Sequence, residues 1–317
     1  MHRYLVWRIA QVLPTLFLAS IAIFLIITLA PGDPALMSLG EEATREELEA
    51  ERVRMGLYKP LPVRYAIWLG DVARLNLGTS LVQNRPVTTL IKEAVPNTLR
   101  LALAGMVVAL PIGFAMGIAA ALKQDSWIDS LVTGFNALAL SVPSFWLGII
   151  LVLVFAVWLK WLPPSGTRSL DKSWIYDLRY LILPVTSLSF GRLAVFSRFV
   201  RSSLLDVMSA DYVRTARAKG LRERIVVSRH ALKNAMIPVL TIVGVQFGKM
   251  LGGAVVTESV FAYSGMGRLV MTAIRNRDYP VVQGGLMVVV LIFLLTNFVV
   301  DMSYGYLDPR IGYERSR

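Results

Sequence analysis

Four stretches of this chain, residues 9–30, 101–122, 130–159 and 281–300, contain no Asp, Glu, Lys or Arg. About 20 apolar residues in helix cross a hydrocarbon core about 30 Å thick, so each stretch is long enough to span a bilayer. Two more segments, 179–202 and 235–257, are apolar but interrupted, the first by Arg192 and Arg198 and the second by Lys249. Six spans and an all-α integral membrane fold are therefore predicted. Bulk composition agrees, since 55% of the 317 residues are hydrophobic and 17% charged, against about 45–50% and about 25% in ordinary globular chains. The run 130–159 is longer than one straight helix needs. Pro143 within it allows a kink, a tilted helix or a partly re-entrant segment.

Charge sets the orientation. The net charge is +12, but the cations lie between uncharged stretches and are not gathered on one folded domain. That pattern points to membrane topology and not to nucleic acid. Residues 198–233 hold nine Lys and Arg against Asp206, Asp211 and Glu223. Short basic flanks stay cytoplasmic, so six spans place both termini inside, in keeping with His2, Arg3 and Arg8 and with Arg310, Arg315 and Arg317. Segment 31–96 then faces out. Within it 41–55 reads as a polar surface helix, and Pro60, Pro62 and Gly78 break the rest into turns. The first span should remain as an anchor, because it is longer than a signal-peptide core and ends in Pro31-Gly32-Asp33-Pro34 without a small-residue cleavage site. The expected organisation is an N-terminal transmembrane helix (1–30), an external insert (31–96), a five-helix core (97–303) containing a cytoplasmic loop (203–236), and a cytoplasmic tail (304–317).

Several chemistries are excluded. No Gly-x4-Gly-Lys-Ser/Thr loop is present, and Gly248-Lys249-Met250 lacks both the glycine spacing and the hydroxyl, so the chain is not itself a P-loop ATPase. With no cysteine and only His2 and His230, no transition-metal cluster is expected. No nucleophile–base or paired-carboxylate constellation stands out inside the spans, and no catalytic residue is assigned.

The basic loop carries the most information. Leu205, Met208, Tyr212, Val213 and Ala216 recur at three- and four-residue steps and predict one apolar stripe on an otherwise cationic helix. Gly220 suits the left-handed position just past a helix end, and 221–232 resumes with helical character before Pro238 opens the next span. Helix, tight turn, helix is the result. Two readings stay open: a cationic hairpin lying on anionic headgroups, or a docking knob for a cytoplasmic partner.

The string Asp211-Tyr212-Val213-Arg214-Thr215-Ala216-Arg217-Ala218-Lys219-Gly220, followed by His230-Ala231-Leu232-Lys233-Asn234-Ala235-Met236-Ile237-Pro238, closely resembles the coupling loop of binding-protein-dependent ABC importer permeases. More narrowly, the chain resembles the first permease subunit of the dipeptide/oligopeptide/nickel/glutathione permease family. The resemblance runs over almost the whole chain, through Pro31-Gly32-Asp33-Pro34, Gly56-Leu57 with Lys59-Pro60, Leu77-Gly78-Thr79-Ser80, Arg85-Pro86-Val87, Arg201-Ser202-Ser203, Arg277-Asp278-Tyr279-Pro280-Val281 and Asp308-Pro309-Arg310-Ile311. Where the general importer pattern has Glu-Ala-Ala before the glycine, this chain has Arg214-Thr215-Ala216, the form usual in the peptide branch.

The resemblance implies a type I importer permease of six helices in a bacterial or archaeal plasma (inner) membrane. It implies four kinds of company: a second homologous permease, two cytoplasmic ATP-binding subunits that hold ATP and Mg, an external solute-binding protein, and the lipid bilayer. No cofactor would be bound by this chain. Residues 211–221 would couple it to the ATPases, with Tyr212, Ala216, Leu221 and Ile225 as the buried contact and Arg214, Arg217 and Lys219 as its rim, while Ala216, Ala218 and Gly220 allow close approach. The solute is left open among peptides, glutathione, nickel or other metal chelates, opines and oligosaccharides. A stand-alone secondary transporter would need internal repeats and mid-span carboxylates, and the sequence displays neither.

Polar groups within the spans mark candidates for a translocation path, namely Asn136, Ser141, Ser144, Ser187 and Gln246, although Ser and Asn also serve as helix–helix glue. Arg192 and Lys249 are cations well inside spans, so each should face a wet or paired environment. They would either bond to helix carbonyls and neighbouring helices or render a cavity electropositive toward an anionic solute.

Overall fold

The computed structural model describes residues 2–29, 32–40, 42–166 and 174–307. The described residues are helical and turn structure, apart from one isolated antiparallel bridge between Thr79 and Pro86. In chain order the helices are α1 (His2–Leu29), α2 (Pro34–Leu39), α3 (Arg45–Arg54), α4 (Leu61–Ala73), α5 (Val87–Leu122), α6 (Trp127–Ser141), α7 (Ser144–Leu151), α8 (Trp174–Met208), α9 (Asp211–Ala218), α10 (Glu223–Ile225), α11 (Leu232–Val260), α12 (Met266–Arg275) and α13 (Tyr279–Leu307). Wider π-type turns extend α7 over Val152–Trp158 and join α10 to α11 over Val226–Ala231.

Five single helices are long and apolar enough to cross a membrane, within α1, α5, α8, α11 and α13. A bent helix pair is the sixth candidate, either a broken span or a re-entrant segment. Trp127–Ser141 and Ser144–Trp158 meet at 97°, because Pro143 has no N–H to donate and holds Val142 in an extended conformation. The kink allowed by Pro143 is thus a sharp bend. Pro238 opens the fifth candidate span, Pro238–Val260, as expected, but it does not begin the helix. It lies inside α11, which runs unbroken from Leu232, so the second arm of the basic hairpin and the fifth span are one helix.

The chain folds as two compact units, residues 99–263 with 296 onward, and residues 2–98 with 264–295. In the first, α8 is the central element and packs against α6, α7 and α11. A Gly-x3-Gly pair on α5 packs on α8: a Cβ on Gly113 would sit 2.7 Å from the Leu193 carbonyl oxygen, and one on Gly117 2.5 Å from that of Ser197. Small residues at this spacing let two helices approach to backbone contact. Leu101, Leu188, Phe196, Met250 and Tyr263 form the buried core around that crossing.

The second unit gathers short motifs that are scattered in the sequence. Asp33 caps α2 by accepting from the Ala35 N–H, and the same carboxylate receives Nε and Nη2 of Arg52 on α3. Arg52 holds that carboxyl below the ordinary aspartate range. The α3 helix opens on a reciprocal capping box between Thr44 and Glu47. It covers most of the surface helix expected at 41–55, of which Glu41 lies outside the described residues.

Asp278 is buried and receives the Ser80 hydroxyl and the Leu81 N–H. It therefore joins Leu77-Gly78-Thr79-Ser80 to Arg277-Asp278-Tyr279-Pro280. Gly78 stands at φ +81°, and the chain from there returns through the Thr79–Pro86 bridge into α5. Residues 61–73, expected as turns, are helical. Pro62 occupies the first turn of α4, where its missing N–H leaves no intrahelical bond unmade.

Candidate functional site

The basic hairpin is built in layers. The helix α8 stops at Met208, Ser209 and Ala210 turn the chain, and α9 then presents Val213 and Ala216 to one side. Those two residues, with Val226, form a small buried cluster against Val207 and Met208. Gly220, at φ +75°, reverses the chain, and its N–H donates to the Arg217 carbonyl. A Cβ at Gly220 would meet nothing within 4 Å, so the glycine is required for its backbone conformation and not for space.

Across the turn Arg217 donates to both carboxylate oxygens of Glu223, at 3.1 and 2.7 Å. This pairing pushes the Glu223 carboxyl down and the Arg217 guanidinium up. Asn234, at the base of α11, donates to the Tyr212 hydroxyl at 3.0 Å. The two arms are therefore braced to each other at the tip and at the base.

Outward from this frame lie Tyr212, Thr215, Ala218, Lys219, Leu221 and Ile225, all exposed. Arg214 is exposed too, near Asp211 at 3.8 Å. Two expectations are corrected here. Ala216 does not belong to an outer contact surface, since it is 6% exposed and filled against its own chain. The apolar stripe is not one helix either. Leu205 and Met208 end α8, while Tyr212, Val213 and Ala216 lie on α9, and the bend at 209–210 brings Met208 onto the Val213–Ala216 cluster while Leu205 packs on a separate one and Tyr212 stays exposed.

The polar candidates inside the spans separate into groups. Asn136 on α6 donates to the Ser197 hydroxyl on α8 at 3.0 Å, both buried, and its Oδ1 has no partner. Ser187 on α8 donates to the Ser144 carbonyl at the start of α7, at 2.7 Å. These contacts bind helices together. Ser141 satisfies itself on the Ala137 carbonyl at an exposed position. Arg192 on α8 reaches α11, giving Nη1 to the buried Gln246 Oε1 at 2.9 Å and Nη2 toward the Lys249 carbonyl at 3.4 Å. Gly253, one turn further along α11, lies beside the guanidinium, where a Cβ would make only ordinary contact at 3.7 Å. The Lys249 side chain is exposed, so the two cations flank one stretch of α11, with Arg192 engaged and Lys249 open.

One strong interaction was not foreseen. Asp129 at the start of α6 receives Nε and Nη2 of Arg201 on α8, both at 2.6 Å, with the carboxylate buried. The only sequence cue was an acidic residue early in an otherwise uncharged helix. Among the described residues no group of three or more His, Cys, Asp or Glu is arranged to hold a metal ion.

Comparison with known proteins is consistent along the full length. Residues 113–313 match the family described as binding-protein-dependent transport system inner membrane component, and residues 1–102 match the N-terminal region of such membrane components. The chain is 40% identical to the dipeptide transport system permease protein DppB of Alkalihalophilus pseudofirmus, over 99% of this chain and 100% of that one. It is 41% identical to the glutathione transport system permease protein GsiC of Escherichia coli O6:H1, with the same coverage of each. Among solved structures, a chain of the MetNI methionine ABC transporter in an inward-facing conformation superposes with a TM-score of 0.56 over 69% of this chain and 96% of that one, at 16% identity. That last likeness is one of fold.

Proposed function

The chain belongs to the family of binding-protein-dependent transport system inner membrane components, and from that premise we propose that it is one of two permease subunits lining the path of a peptide importer. It is a multi-pass inner-membrane protein without catalytic activity of its own. In this reading a second, homologous permease completes the path, two cytoplasmic ATP-binding subunits carry ATP and Mg and supply the energy, and an external solute-binding protein delivers the cargo. Both termini and the 203–236 loop are cytoplasmic, and the 31–96 insert is external.

The observation that carries the proposal is the braced hairpin. A short helix, α9, is held rigidly on its own apolar cluster while Tyr212, Leu221 and Ile225 remain exposed among Arg214, Lys219 and Arg222. An apolar centre with a cationic rim fits a groove on a partner, and a rigid element seated in such a groove transmits the partner's motion as a rigid body. Peptide as cargo rests on the relatives, and glutathione is itself a peptide.

The test is co-expression with the neighbouring permease and ATPase subunits, followed by affinity purification and measurement of ATP hydrolysis with and without the loaded binding protein. Co-purification with peptide-stimulated hydrolysis is the expected result. Failure of this chain to retain any ATP-binding subunit would sink the proposal. Reporter fusions at Glu47 and Arg222 should report opposite sides of the membrane, and the same side for both would overturn the topology.

A further inference from the structure

The helix α4 is an oddity for a segment of an external insert. Arg64 and Asp71 are its only charged residues, and being seven positions apart they share one narrow side. Val63, Ala66, Ile67 and Gly70 form another side, and every one of them is exposed, Val63 at 45% and Ile67 at 47%. None of the 13 residues of α4 is buried. A helix this apolar with no buried residue lacks a protein core to justify it.

Its neighbour identifies what surrounds it. Tyr65 and Trp68 pack on Phe24 of α1, with ring centroids 5.4 and 5.8 Å apart. Tyr65 also meets Phe17 in a T-shaped contact, and its hydroxyl shares a 2.8 Å hydrogen bond with the Ser20 hydroxyl. These α1 residues lie within the membrane-crossing stretch Gln11–Leu29. At 1.5 Å per residue, Phe24 and Ser20 sit about 8 and about 14 Å below the Leu29 end. A helix in contact at that depth lies beneath the headgroups.

We propose that α4 is embedded in the bilayer, in the leaflet at the Leu29 end of α1, and that acyl chains cover the Val63–Ile67 side. On the topology proposed above this is the outer leaflet, and the embedding itself does not depend on that orientation. The Tyr65–Ser20 hydrogen bond satisfies both hydroxyls where water is absent. Tyr and Trp suit the zone just inside the headgroups, and Arg64 with Asp71 on one side can turn toward the interface. The insert is thereby fastened to lipid through a second point besides the spans.

The sequence contains no cysteine, so single labels need no background removal. Ile67→Cys and, separately, Val63→Cys carry a nitroxide in the full chain reconstituted in liposomes, with Leu18→Cys on α1 as the lipid reference and Glu46→Cys on α3 as the aqueous reference. The quantity read is the ratio of collision with oxygen to collision with a water-soluble nickel chelate. Embedding predicts ratios at 63 and 67 that match position 18 and exceed position 46 severalfold. Ratios matching position 46 overturn the proposal, because the helix then stands in water. Low accessibility to both relaxants also overturns it, because protein and not lipid then covers the face. Neither outcome bears on whether the chain couples to ATPases.

Discussion

Asp129 and Arg201, 72 positions apart, form a bidentate ion pair that fastens the start of α6 to the last turns of α8. The carboxylate also accepts the Asp125 N–H, which closes the turn between α5 and α6. Replacing Arg201 by Leu strands a buried carboxylate, and losses of about 3–5 kcal/mol follow when one partner of such a pair is removed. The thermal midpoint of the solubilised protein should fall sharply in Arg201→Leu and recover in large part when Asp129→Leu is added. A wild-type midpoint for the single variant would refute this account.

Contact between α5 and α8 rests on the absence of side chains. In Gly117→Val the new Cβ would lie 2.5 Å from the Ser197 carbonyl oxygen and 2.7 Å from the Val200 Cβ, an overpacking that costs about 1–3 kcal/mol or more. At Gly134 a Cβ would meet nothing within 4 Å. Monodisperse yield on size-exclusion chromatography should drop for Gly117→Val and stay level for Gly134→Ala.

For the hairpin, inner and outer residues should fail in different ways. Ile225→Asp alters an exposed apolar side chain, so it should leave folding intact and abolish recovery of the ATP-binding subunits. Gly220→Val forces a β-branched residue to φ +75° and should weaken both the turn and coupling, whereas Gly220→Asn should keep most of each. Ala216→Trp should unfold the hairpin locally, since Ala216 lies inside the Val213–Val226 cluster. Protease resistance of residues 205–232 alongside pull-down separates the two classes.

Acid should release the Asp33–Arg52 tie. The folded-state pKa of Asp33 is depressed, chiefly by its hydrogen bonds from Arg52. Its contribution is therefore fully present above the unfolded value near 3.8 and lost as pH falls through the lower folded value. The gap in thermal midpoint between wild type and Asp33→Asn should stay constant from neutral pH down to about pH 5 and narrow below about pH 4. A gap that closes already near pH 6 would point to another group.

Arg192 and Lys249 should part company in transport. Arg192 is bonded to Gln246 and the Lys249 carbonyl, so Arg192→Gln should lower transport of anionic and neutral peptides alike, through loss of a helix contact. The Lys249 side chain is open, so Lys249→Met should reduce uptake of acidic peptides selectively, by removing a charge that concentrates them locally. Equal losses for both cargoes in Lys249→Met would make that lysine structural.

The spans were legible because a run of 20 uncharged residues has few other fates in water, and Gly220 was legible because so few residues accept positive φ. The bend at 141–143 was legible only as an allowance: Pro143 permits a kink, while no residue beside it states the 97° size. The α4 helix is hard to read because Pro62, a residue that breaks a helix interior, stands here in a first turn where it is tolerated. For Ala216, periodicity identifies an apolar side without saying whether a partner or its own chain covers it. Pairings such as Asp129 with Arg201 escape any local pattern, since nothing near either residue names the other.

Ser80 and Asp278 are 198 residues apart and meet in the buried heart of one unit. A ribosome delivers Ser80 long before Asp278 exists, so the loop that holds Ser80 must wait, its hydroxyl and the Leu81 N–H without their carboxylate acceptor, until most of the chain has been made and inserted. Synthesis therefore leaves this unit open until residues 264–295 have been made, whatever the order in which its helices enter the membrane. A nascent chain arrested before residue 264 would display segment 76–86 as a protease-sensitive loop, and release of the final helices would be the event that closes it.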